Sequence, residues 1–104
     1  MNETQVLETI RERLKEMFEI KRIVLFGSRA RGDAKPDSDF DVLVIANSNL
    51  DFVQRQARAR RAVGQVGASL DLMIYTPSEA QRAALIPGTT VYWAEKEGRE
   101  VYVS

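Results

Sequence analysis

The chain contains no cysteine and no histidine. The first absence excludes disulfide staples, thiolate zinc sites and cysteine nucleophiles; the second excludes every imidazole general base and every Ser-His triad. Chemistry here falls to carboxylates, hydroxyls, lysines, arginines or a bound metal. A surplus of one charge is missing as well. The 15 Lys and Arg balance 15 Asp and Glu, so no global field draws the protein onto nucleic acid or an anionic membrane, and direct nucleic-acid binding is not expected. A local basic patch stays open. Long apolar runs are absent too: the longest, Val42 to Ala46, falls far below the ~18 residues of a membrane helix. The opening Met-Asn-Glu-Thr lacks the basic flank and apolar core of a secretion signal. These absences lead to the expectation of a cytoplasmic chain with no membrane contact.

What is present is an ordinary globular composition, 44% hydrophobic and 29% charged over 104 residues. A chain of this length buries roughly two-thirds of its unfolded surface, enough for one core, so residues 1–104 are expected to form a single domain. Val6, Leu7, Ile10, Leu14, Met17 and Phe18 follow a helical stripe, which predicts an amphipathic helix over Thr4 to Phe18. Lys21–Phe26 and Asp39–Ile45 are short β-branched and apolar runs bounded by turn residues, and predict two strands. Asn49 or Asp51 can cap a helix running to Val63, with Phe52, Gln56, Ala59 and Val63 on one face, ended by Gly64. Ser69–Thr76 sets Leu70, Leu72 and Ile74 against Asp71, Met73 and Tyr75, a strand with unlike faces. Pro77 then opens a short helix to about Leu85. The tail reads either as a hairpin or as a helix capped at Thr89 or Thr90, ended by Gly98 and followed by a strand, and the second is preferred. Strands interleaved with helices make an α/β or α+β domain.

The chemistry concentrates in Gly27-Ser28-Arg29-Ala30-Arg31-Gly32 and in Ser38-Asp39-Phe40-Asp41-Val42-Leu43-Val44. Residues two apart on a strand share a face, so Asp39 and Asp41 project together on a segment otherwise headed for the core. Paired carboxylates repel unless protonated or neutralised, and a hard cation such as Mg²⁺ accepts such ligands while keeping positions for a substrate phosphate. Just upstream a strand ends in Gly27-Ser28, where free backbone N–H groups and a hydroxyl could converge on a phosphate. Asp71 would complete a trio with Asp39 and Asp41 if its strand neighbours theirs. Three converging carboxylates could hold two metal ions for in-line phosphoryl or nucleotidyl transfer.

These two segments resemble the signature of the minimal nucleotidyltransferases of the DNA polymerase β superfamily, and the likeness extends over nearly the whole chain. The resemblance implies a mixed sheet of about four strands flanked by helices. It implies Gly27 and Ser28 at the triphosphate, with Arg29 and Arg31 beside them, and Asp39, Asp41 and Asp71 as the catalytic carboxylates holding Mg²⁺. The implied substrate is ATP or another NTP. Many small members of this family resemble antitoxin partners of HEPN-domain proteins, and some such pairs transfer AMP from ATP to a tyrosine of the toxin. A HEPN-type partner is therefore expected, and the short segment after Pro77 leaves the acceptor site incomplete within this chain. The competing expectation is a non-catalytic module that neutralises its partner sterically, or a transferase acting on a small molecule.

Two further features receive plainer expectations. Arg55, Arg58 and Arg61 recur every third residue and read as a solvated helix face. Tyr92 and Trp93 read as packing on the sheet or at a subunit interface, which leaves a homo-oligomer open.

Overall fold

A computed structural model describes residues 2–104. Four strands form one mixed sheet in the order β3-β2-β1-β4, with β1 Glu19–Phe26, β2 Phe40–Asn47, β3 Leu70–Tyr75 and β4 Arg99–Val103. β1 runs antiparallel to both β2 and β4, while β2 and β3 are parallel. The parallel pair needs a crossover, supplied by the helix α3, Phe52–Val63. The other helices are α1 Glu3–Leu14, the single turn α2 Ser28–Arg31, α4 Pro77–Ala83 and α5 Thr90–Glu97.

Both sheet faces are covered, which explains why β2 buries every residue from Val42 to Ala46 instead of alternating. On one face Val6, Ile10 and Leu14 of α1 and Ala59 and Val63 of α3 pack with Ile23, Leu25, Val42, Val44, Leu72 and Ile74. On the other, Ala80 and Ala83 of α4 and Val91 and Ala94 of α5 cover Val24, Leu43 and Ile45. The unlike faces predicted for the Asp71 strand are thus sorted, with Leu72 and Ile74 against α1 and α3 and Met73 and Tyr75 toward α4 and α5.

Side-chain caps mark several element starts. Asp51, not Asn49, caps α3 by accepting from Gln54 N–H at 2.9 Å, Thr89 caps α5, and Thr76 and Glu79 form a capping box at α4. The tail is a helix followed by a strand.

Two sequence-based expectations are corrected here. The first helix ends at Leu14; beyond it the Met17 N–H bonds the Leu14 carbonyl three residues back instead of Arg13 four back, and Phe18 N–H shares that carbonyl. Phe18 stays buried while Met17 is exposed, so the apolar stripe outlasts the helix. The second correction concerns Arg55, which is 2% exposed and not solvated. Its guanidinium reaches Glu79 at 2.6 and 3.1 Å and the carbonyls of Ile74 and Leu50 at 3.1 Å each. Beside it, the Gln56 amide bonds both the N–H and the carbonyl of Ile74, which closes part of the open edge of β3.

Candidate active site

β1 stops at Gly27, whose φ of 73° and ψ of −156° lie in a region essentially reserved for glycine. A Cβ at this position would run into Asp41 Oδ2, so the missing side chain is what lets that carboxylate lie against the turn. Ser28 then starts α2, and the Gly27 carbonyl accepts from Ala30 and Arg31 N–H. Gly32, left-handed at φ 85°, ends the turn with its N–H on the Ser28 carbonyl.

The loop between α2 and β2 is held from below by Arg29. Its guanidinium donates to the Ser38 carbonyl at 2.8 and 3.2 Å and to the Pro36 carbonyl at 3.3 Å, and it lies 4.0 Å above the centre of the Phe40 ring. Arg29 thereby positions the segment that carries Asp39, and it does not line the cleft above. Arg31 does. The cleft, of about 550 Å³, is lined by Phe26, Gly27, Ser28, Arg31, Ser38, Asp39, Asp41, Trp93 and Glu97.

Asp41 sits opposite Asp71 in the parallel β2–β3 register, on the α4/α5 side of the sheet, but Asp71 does not line the cleft itself. Burial pushes the Asp41 carboxyl above the ordinary aspartate range. The charges of Asp71, Asp39 and Glu97 push it further the same way, and Arg31 opposes them. The site therefore accumulates more negative charge than its own cation neutralises.

Two of its residues escaped sequence reasoning. Trp93, expected to pack on the sheet or at a subunit interface, is 48% exposed on the cleft wall. Glu97 lies one helical turn further on the same face of α5, and its carboxylate accepts from Gly27 N–H at 3.2 Å and from Arg31 Nη1 at 2.9 Å. The i, i+4 spacing of Trp93 and Glu97 was visible, but only the packing of α5 shows where that face points.

A profile of the nucleotidyltransferase domain matches residues 7–102. The chain belongs to this nucleotidyltransferase family. A Methanocaldococcus jannaschii protein provisionally named a protein adenylyltransferase is 40% identical over 55 residues, 51% of this chain and 55% of that one. The protein adenylyltransferase MntA of Shewanella oneidensis is 27% identical over 73 residues, 70% of this chain and 50% of that one. The chain spans about half the length of these relatives. Among solved structures, a toxin-antitoxin crystal structure with AMP-PNP matches all of this chain and 75% of that one, with a TM-score of 0.64 and 22% identity. A Shewanella oneidensis complex of a tri-AMPylated HEPN toxin with an MNT antitoxin matches 97% of this chain and 69% of that one, with a TM-score of 0.54 and 19% identity. At these identities the structural likeness establishes the polymerase β-like fold.

In this nucleotidyltransferase fold the donor chemistry suits magnesium, which typically takes one or two carboxylates and completes its shell with water and substrate phosphates. Asp39 and Asp41 on one cleft wall fit that requirement. Among the described residues no three acidic side chains are grouped closely enough to cage an ion alone, so the phosphates of a substrate would have to complete the shell. Gly27→Ala tests the cradle: forcing a Cβ into this backbone costs about 1–3 kcal/mol and displaces Asp41. Nucleotide binding, measured by titration calorimetry, is expected to be lost in a protein that remains folded by circular dichroism.

Proposed function

We propose that this nucleotidyltransferase moves AMP from ATP to a hydroxyl on a HEPN-type partner protein in the cytoplasm, and so acts as its antitoxin. The observation that carries this reading is the contact between Gly27 and Asp41, which sets a metal-seeking carboxylate directly against a turn suited to phosphate. The names of the relatives support the choice of AMP and of a protein acceptor. The AMP-PNP in a fold neighbour supports ATP as donor. No helix among the described residues is long and apolar enough to cross a membrane.

Each residue has a task in this reading. Ser28 Oγ, Gly27 N–H and Arg31 donate to phosphate oxygens. Asp39 and Asp41 hold Mg²⁺, with Asp71 beside Asp41 available to the same site. When bound, the metal supplies positive charge that neutralises the triphosphate and polarises the α-phosphorus. The acceptor oxygen attacks that phosphorus in line, the bond to the β,γ-pyrophosphate breaks, and pyrophosphate leaves. A site carboxylate takes the hydroxyl proton, and Asp71, next to Asp41 in the β2–β3 register, is the candidate for that role.

Intact-mass spectrometry of the protein encoded beside this one tests the proposal, after incubation with this chain, Mg²⁺ and ATP. One or more AMP additions are expected, and none with Asp41→Asn. A stable complex without any mass increase would overturn the transferase reading in favour of steric neutralisation.

A further inference from the structure

Glu97 engages the two groups that a phosphate would need. Its Oε1 accepts from the Gly27 backbone N–H and its Oε2 from Arg31 Nη1, so one carboxylate bridges the phosphate turn and its cation. It is also the most sheltered member of its ion pair, with a side chain 24% exposed against 46% for Arg31. Arg31 has a second carboxylate partner in Asp33 at 3.3 Å, on its exposed flank. Among the described residues the Gly27 N–H donates to Glu97, while the Gly27 carbonyl is engaged separately by Ala30 and Arg31 N–H.

A planar carboxylate with one oxygen on a main-chain N–H and the other on a guanidinium reproduces the contacts of two phosphate oxygens. Glu97 makes them from the last residue of α5, immediately before Gly98. Gly98 is packed so closely against Ala94 O and Val24 Cγ1 that no larger residue fits, which fixes the level at which α5 ends. The reach of Glu97 into the turn is thus set by the fold and not by a free tail.

We propose that Glu97 is an internal competitor for the polyphosphate and lowers the affinity of the site for every ligand that uses the phosphate turn. In the free protein its carboxylate holds the phosphate turn; a ligand binds only by displacing it from Gly27 N–H and Arg31. The carboxylate returns to the turn as pyrophosphate departs. The inference rests on the nucleotidyltransferase reading of the cleft.

The competition has a specific signature. Every ligand that needs the phosphate turn has its affinity lowered by the same factor, the fraction of molecules with the turn free, while a ligand that leaves the turn alone is unaffected. Titration calorimetry in Mg²⁺ with ATP, inorganic tripolyphosphate and adenosine reads that signature, and Trp93, the one tryptophan of the chain, provides an optical check from the same cleft. Glu97→Gln removes the charge. Glu97→Asp keeps the charge but shortens the side chain by a methylene, so that it cannot bridge both partners.

Both variants are expected to tighten ATP and tripolyphosphate by a common factor of about three to ten, with adenosine unchanged. Tightening in Glu97→Gln alone would show a general field effect and overturn the competitor. Unchanged or weaker polyphosphate binding in both variants would overturn it too, as would a parallel change for adenosine, which marks a merely structural tie. Failure of ATP and tripolyphosphate to bind wild type and variants alike, in folded protein, would instead remove the nucleotide reading of the cleft.

Discussion

Asp41→Asn is expected to lower nucleotidyl transfer by about 10³-fold or more while leaving the thermal midpoint unchanged or raised. The side chain is nearly isosteric, so the close fit against Gly27 survives. What disappears is a charge that the folded protein holds at a cost, since burial and then Asp71, Asp39 and Glu97 all disfavour ionisation of this carboxyl. Between the ordinary aspartate value of 3.8 and the raised value in the fold, the native state binds more protons than the unfolded chain. Stability therefore falls as pH rises through that window, and the penalty persists above it. In Asp41→Asn this part of the pH dependence should vanish. Thermal scans between pH 4 and 8, paired with the mass-spectrometric transfer assay, measure both effects. Retained turnover would remove Asp41 from the chemistry, and a large drop in midpoint at neutral pH would show the carboxylate to be structural.

The second large effect lies away from the cleft. Glu79→Ala is expected to destabilise the fold by about 3 kcal/mol, because it strands the Arg55 guanidinium inside the protein. Glu79 also bonds the Thr76 N–H at 2.9 Å, so one half of the α4 capping box is lost in the same step, while the Thr76 hydroxyl still caps the helix. For a domain of this size the change amounts to a fall in midpoint of roughly 12–20 °C. Arg55→Met, which fills most of the same space without a charge, is expected to cost less, since Glu79 can then turn to water. The Arg55 hydrogen bond holds the Glu79 carboxyl below the usual glutamate range against the effect of burial, and Thr76 adds to this. The stability supplied by the pair is accordingly present above the ordinary glutamate value of 4.5 and is lost as pH falls through the depressed one. Glu79→Ala should flatten that acid limb. A loss below about 1 kcal/mol would mean that water reaches Arg55 and that the pair is not sealed.

Much of the architecture was legible because local physics repeats itself. Alternation along Leu70–Tyr75 records which side chains meet which layer, and an aspartate or threonine ahead of an apolar stripe marks a helix start whatever lies beyond. The Gly27-Ser28 turn and the Asp39/Asp41 pair stand out for the same reason, since close backbone approach and paired charge each require particular residues within a few positions of one another.

Arg55, Glu97, Arg29 and Asp71 depended on tertiary structure. An arginine in a three-residue rhythm looks solvated until a glutamate 24 positions away turns out to be its buried partner. A glutamate at the end of a late helix carries no local sign that its carboxylate meets a glycine 70 positions earlier. Arg29 looks like a phosphate ligand until the Ser38 carbonyl and the Phe40 ring take its guanidinium. Asp71 stands beside Asp41 only because β2 and β3 pair in parallel register. The sequence by itself determined the elements, most of their buried faces and the residues that are candidates for phosphate and metal, because those follow from spacing along the chain. Which of these residues face one cleft, and which are taken up by contacts elsewhere, was decided only by the packing of helices and strands, because an ion pair or a strand register is a contact between distant segments that no local pattern encodes.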